Sequence, residues 1–163
     1  MSFQTQKPKR ITGPTSLEIL VFQAGGQWFG LRSGRQIRLV SFGPGQLKFF
    51  ETPSEKESGP VGFLTKTGAS FPVYDLAYLL GLKSEPGLPA EGQLIQALVE
   101  NQPVGFIIEQ AQEIQRVPVP ELRQIPAIIN DLWTAPVVWA VWLRPDNTLI
   151  PLLDLAFIPA IQA

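Results

Sequence analysis

The chain has 163 residues, a net charge of −1 at pH 7, 45% hydrophobic and 17% charged residues. That describes a globular protein of one domain or two small ones, with no electrostatic footprint for nucleic acid or an anionic membrane. The absence of Cys and His excludes disulfides, cysteine-based zinc sites and thiol or Ser-His nucleophile pairs, and no cofactor motif replaces them. Residues 1–15 are polar and read as a tail. Leu17 to Phe22 is an apolar strand, Ala24-Gly-Gly-Gln27 a turn and Gln27 to Leu31 the return strand of a hairpin. Arg32, Arg35 and Arg38 follow at spacing three, with Arg35 opposite the other two in an extended chain, and Ile37 to Phe42 is a further strand. Gly43 to Pro60 is irregular, with a brief strand at Leu47 to Phe50. Val61 to Leu64 returns to strand pattern, Thr65-Lys-Thr-Gly68 is a turn, and Ala69 to Tyr74 is the next strand.

Phe71-Pro-Val-Tyr-Asp-Leu-Ala-Tyr-Leu-Leu-Gly81 follows, and much of it recurs as Ile150-Pro-Leu-Leu-Asp-Leu-Ala-Phe157. Pro72 matches Pro151 and Asp75 matches Asp154 at a constant offset of 79 residues. Each copy reads as a strand ending in an aspartate that caps a short helix, because a carboxylate there accepts a backbone N–H that the first turn leaves unpaired. Leu76, Leu79 and Leu80 share one helical face, and Gly81 supplies a left-handed stop. The competing functional reading makes Asp75 and Asp154 a catalytic carboxylate pair.

Lys83 to Gln93, with Pro86, Gly87, Pro89 and Gly92, reads as a linker. The strand pattern then restarts: Leu94 to Val99, a turn at Glu100-Asn-Gln-Pro103, and Val104 to Ile108. Gly30 and Gly105 match at an offset of 75, which places Leu39 on Ile114, although a two-residue slip would pair Ile37 with Ile114 instead. Val117-Pro-Val-Pro-Glu121 is expected to be extended, since each proline disfavours helix in the residue before it. Pro126 to Leu132 reads as a helical turn or loop. Val137 to Leu143 is apolar on both faces, which predicts a strand covered on both sides near a seam between lobes. It is too short to span a bilayer, and no leader pattern opens the chain, so a cytoplasmic protein without membrane insertion is expected. Pro145-Asp-Asn147 is a turn, Leu149 to Leu153 the last strand, and Asp154 to Ile158 the last short helix.

Two copies of a hairpin, further strands and a capped turn predict a mostly β protein of two small five-stranded, SH3-like barrels packed side by side. The expected division is a tail over 1–15, barrels over 16–84 and 94–163, and a linker over 85–93, with terminal strands open to exchange between barrels. The phenylalanine–aspartate stretch above, Val104-Gly-Phe-Ile-Ile-Glu109 with Glu113-Ile114, and Leu149-Ile-Pro-Leu-Leu-Asp-Leu155 resemble the CheW-type chemotaxis coupling proteins over about residues 17 to 161. The resemblance implies a non-enzymatic adaptor without cofactor or metal. Its implied partners are the regulatory domain of a CheA-type histidine kinase and the cytoplasmic tip of methyl-accepting receptors, which lies between the barrels. The partner-binding residues it points to are Arg38, Lys66, Thr67, Gly68 and Glu113, with Asp75 and Asp154 as structural caps. Where the family carries an Asn-Leu-Arg-Gly turn, this chain has Thr65-Lys-Thr-Gly68, and Arg38 stands at a usually acidic position that Glu113 retains in the second half. Those departures predict weak binding of a generic receptor tip, and keep open a scaffold of a non-flagellar pathway or a small-ligand-binding barrel.

Overall fold

The computed structural model describes residues 13, 15–34, 36–50, 59–66, 68–126 and 137–155. Expectations at residues 1–12, Arg35, Thr67, the Pro126 to Leu132 turn beyond its start, and the last helix beyond Leu155 lie outside them.

The chain is mostly β. Its strands are β1 (Ser16–Ala24), β2 (Gln27–Arg32), β3 (Ile37–Phe42), β4 (Leu47–Phe49), β5 (Gly62–Lys66) and β6 (Ala69–Asp75), then α1 (Leu76–Leu79), β7 (Gly92–Val99), β8 (Gln102–Ile108), β9 (Gln110–Pro118), β10 (Leu122–Gln124), β11 (Val138–Leu143) and β12 (Leu149–Leu153). They form two six-stranded sheets, ordered β10-β11-β12-β2-β1-β9 and β3-β7-β8-β6-β5-β4. Both sheets curl as half-barrels, which hides apolar faces that flat sheets of this size would expose.

The hairpin of each half completes the sheet of the other. β12 runs parallel to β2 with Leu152 opposite Gly30, and β6 runs parallel to β8 with Val73 opposite Gly105. The two glycines are required by close approach. A Cβ on Gly30 would lie 2.6 Å from Leu152 and 2.8 Å from Ile19, and one on Gly105 would lie 2.9 Å from Phe71. The hairpin turns correspond too: Gly25 and Gly26 have φ of 59° and 76°, and Glu100 and Asn101 have 51° and 63°. Positive φ at both central residues gives the turn whose twist matches that of paired strands.

Alternation along the strands builds three apolar layers. Ile19 and Val21 of β1 point into the first sheet with Val117, Ala140, Trp142, Ile150 and Leu152. Leu20 and Phe22 point the other way, into a seam with Phe29, Tyr74, Ile95, Phe106 and Leu153. Leu64, Phe71, Val73, Leu94 and Ile107 fill the second sheet. β1 and β8 are therefore among the strands buried on both faces, whereas the expectation placed such burial at Val137 to Leu143. Ala140 and Trp142 are buried there, but Trp139 on the opposite face is 39% exposed. The irregular register between Val138 and Ala140 accompanies that change of face.

Two further differences concern the second half. β9 carries Gln112, Glu113 and Arg116 and lacks an apolar pattern, yet it is a strand because β1 supplies a ladder from Ser16 to Gln23. After Pro118, Val119–Glu121 turns into a single 3₁₀ turn instead of staying extended. Pro120 sits in its first turn, where its missing N–H costs nothing.

Candidate partner-binding site

β3 and β9 are edge strands of the two sheets, and the seam leaves a groove of about 400 Å³ between them. Leu39 lies opposite Ile95 and Ile114 opposite Leu20, so the offset of 75 holds for both members of each pair and the two-residue slip does not occur. Leu39 is 44% and Ile114 54% exposed. Both line the groove, with Leu20, Ile37, Ala111 and Glu113. Glu113 lies within the β9 irregularity, where Ile114 faces Leu20 but Ala111 faces Phe22. The extra residue on β9 breaks the alternation there and lets neighbouring Glu113 and Ile114 line the same groove.

Arg38 does not line it. It is exposed opposite Gln96, on the face of β3 away from Leu39. Lys66 and Gly68 are exposed at the β5–β6 turn, where Lys66 opposes Ala69, Thr65 Oγ1 and Ser70 Oγ are 2.7 Å apart, and Gly68 has φ of 80°. The register carries Arg38 through Gln96, Gly105 and Val73 to Gly62, four residues along β5 from Lys66, with β7, β8 and β6 between β3 and β5. The structure thus brings Glu113 to the groove and leaves Arg38 and Lys66 apart from it.

Two surface rows escaped the sequence reading. On the outer face of the second sheet, Lys48 opposes Phe63 and Phe63 opposes Pro72. On the outer face of the first, Arg123 opposes Val141 and Val141 opposes Pro151. Directly opposed residues share a face, so each row reads cation, apolar residue, proline across three strands. The rows beneath them, Leu47–Leu64–Phe71 and Leu122–Trp142–Ile150, face inward. Phe63 is 40% exposed and meets Phe50 edge-on at 5.1 Å, and Leu149 beside the second row is 63% exposed. The repeat of Pro72 at Pro151 signalled one end of each row. The cations sit on three-residue strands whose register no local pattern encodes.

Asp75 is buried, caps α1 through Tyr78 N–H at 3.4 Å, and accepts a second bond from Gly87 N–H at 2.5 Å. Lys83 Nζ stands 3.7 Å away. The carboxylate therefore ties the linker to the helix it caps. Gly81 has φ of 75°, and the amides of Gly81 and Leu82 bond to the carbonyls of Tyr78 and Ala77, which closes the helix. Asp154 donates its N–H to Val137 O at 2.7 Å. Asp75 and Asp154 line separate cavities. Among the described residues, no cluster of three or more His, Cys, Asp or Glu could hold a metal ion, and no helix is long and apolar enough to cross a membrane.

The family model of the CheW-like domain matches residues 18–160. The chain belongs to that family. A solved CheW-like structure, the scaffolding protein TtCheW from Thermoanaerobacter tengcongensis, superposes with a TM-score of 0.67 at 19% identity, over 88% of this chain and 92% of that one. At that identity the likeness is one of fold. No curated protein matches the sequence significantly.

Proposed function

We propose that this CheW-like chain is a non-enzymatic cytoplasmic adaptor, joining the regulatory domain of a CheA-type histidine kinase to the tip of a methyl-accepting receptor. The observation that carries the reading is the pair of equivalent outer rows, Lys48–Phe63–Pro72 and Arg123–Val141–Pro151, one on each sheet. A connector needs two contact faces, and a duplicated barrel supplies them. The units of duplication are residues 16–84 and 94–163, joined by 85–93, and each lends its first hairpin to the other's sheet. The receptor tip takes the groove between β3 and β9, where Leu39 and Ile114 are the apolar contacts and Glu113 the polar one. Arg38 on β3 and the Lys66–Gly68 turn, which lie apart on the second sheet, set the choice of partner. Arg38 in a usually acidic position, and a turn without the family arginine, favour a second reading within the same class: a scaffold of a non-flagellar pathway with altered partners.

Calorimetric titration tests this with two partners, a kinase regulatory domain and a receptor-tip helical hairpin from the same genome. The regulatory domain should bind wild type, and Leu39→Ser with Ile114→Ser should weaken only the receptor tip. Thr67→Arg should tighten the receptor tip roughly ten- to hundredfold, the scale of one hydrogen bond to a charged group. A wild-type chain that binds no kinase domain sinks the adaptor reading. Tight receptor binding that Thr67→Arg leaves unchanged removes the turn from the contact.

A further inference from the structure

The first hairpin, β1 with β2, finds its other strand partners at the far end of the chain. They are β9 and β12, between Gln110 and Leu153. The whole second sheet, β3 to β8, lies between them in sequence. The hairpin joins that sheet through one short crossing, from Arg32 at the end of β2 to Ile37 at the start of β3. The bonds around the crossing mostly stay on their own side of it. Ser33 N–H donates to Glu18 O at 2.8 Å beside the hairpin, and Leu98 N–H donates to Gln36 O at 3.3 Å beside the second sheet. Among the described residues, the one backbone bond that folds the crossing itself runs from Ile37 N–H to Gly34 O at 3.1 Å. The tip of the hairpin is fastened to the return crossing: Gly26 N–H donates to Glu109 Oε1 at 3.0 Å, and Glu109 N–H to Gln23 O at 2.8 Å.

We infer that two copies of this chain trade their first hairpins when they fold together at high concentration, and close into a two-fold symmetric dimer with Gly34 as the hinge. Each hairpin then makes the same ladders and the same seam with the other copy, so the exchange gives up little beyond the turn bond at Gly34. The dimer keeps two grooves between β3 and β9, and each is complete only with Leu20 of the other copy, because Leu20 is the groove residue on β1. Proximity favours the closed monomer. A hairpin on a short flexible tether meets its own sheet at an effective concentration on the order of millimolar. Exchange therefore competes near that concentration, or where the crossing is too short to fold back on itself. It takes place during folding, because a folded copy must first give up both ladders and its side of the seam. No kinase or receptor takes part, so the outcome is independent of the adaptor reading.

The test is a disulfide trap, Glu18→Cys with Arg116→Cys. The two positions oppose each other in the β1–β9 ladder and are exposed, and directly opposed residues come close to the span of a disulfide. The chain has no cysteine of its own, so only this pair cross-links. In a closed monomer the bond forms within one chain. In the exchanged dimer it joins two chains, and the product keeps twice the 18.0 kDa mass on a denaturing, non-reducing gel. An ordinary surface dimer falls apart there into single chains. The trapped chain is refolded from denaturant at about 1 mM and about a hundredfold more dilute, then oxidised. The concentrated sample should give the covalent dimer and the dilute one the monomer. Removing Gly34 and Gln36 should give the dimer at both concentrations, and inserting Gly-Ser-Gly-Ser after Gly34 should give the monomer at both. Should the shortened chain fail to fold, the loss of dimer on lengthening carries the test. Monomer alone at about 1 mM in both the parent and the shortened chain overturns the inference. So does a covalent dimer equally abundant whatever the length of the crossing.

Discussion

Asp75→Ala tests how much of the fold hangs on one carboxylate. The side chain is only 3% exposed and holds three partners: Tyr78 N–H, Gly87 N–H and Lys83 Nζ. Losing an N-cap costs about 1 kcal/mol. Leaving the Gly87 amide without its acceptor costs about 1–3 kcal/mol where water does not replace it. Lys83 is 39% exposed, so its ion pair adds at most a few tenths of a kcal/mol. The sum is about 2–4 kcal/mol, against a typical domain stability of about 5–15 kcal/mol. For a chain of this length it should lower Tm by about 5–15 °C. Asp75→Asn keeps an acceptor oxygen for Gly87 and should cost only about 1 kcal/mol. Urea denaturation gives the totals, and amide exchange at Gly87 gives the local part: the alanine variant should lose protection across the linker that the asparagine variant keeps. A cost under about 0.5 kcal/mol for Asp75→Ala, or equal costs for the two variants, would refute the clasp.

Gly62→Ala should destabilise more than Gly30→Ala. A Cβ at 62 would overlap the Lys48 backbone carbonyl, whereas one at 30 meets the movable ends of Leu152 and Ile19. Overpacking of the second kind costs about 1–3 kcal/mol; the first should also free β4 from β5 and displace Lys48 from its row. Chemical denaturation ranks the two, and the reverse order would show that β4 yields easily. The hydroxyl and amide of Thr148 hold the Asp146 carboxyl below its ordinary value of 3.8. A lowered folded value stabilises the protein above that ordinary value, and the contribution is lost as pH falls through the folded one. Carboxyl carbon NMR should show Asp146 titrating below 3.8 in wild type and moving up in Thr148→Val; an unmoved titration would mean the threonine is not the cause.

The repeat of proline and aspartate at an offset of 79, the hairpins around Gly30 and Gly105, and the helix start at Asp75 are local signals, and they sufficed for the mostly β class, the duplication and the family. Local periodicity cannot say which strand lies beside which, because pairing free energy comes from residues far apart in the chain. The exchange of hairpins was therefore decided only by the tertiary structure, through the fit of Gly30 under Leu152 and of Gly105 against Phe71. The same holds for β9, which owes its strand to the ladder that β1 offers. Asp75 was legible as a cap, since capping acts over three residues, but its bond to Gly87 spans twelve and appears only when the linker folds back. Glu113 could be placed in the groove only once the irregular register of β9 was known, and Arg38 out of it only once β3 was seen to turn Leu39 toward the groove. The two cationic rows depend on register across three strands, so they too belong to the folded chain and not to any stretch of its sequence.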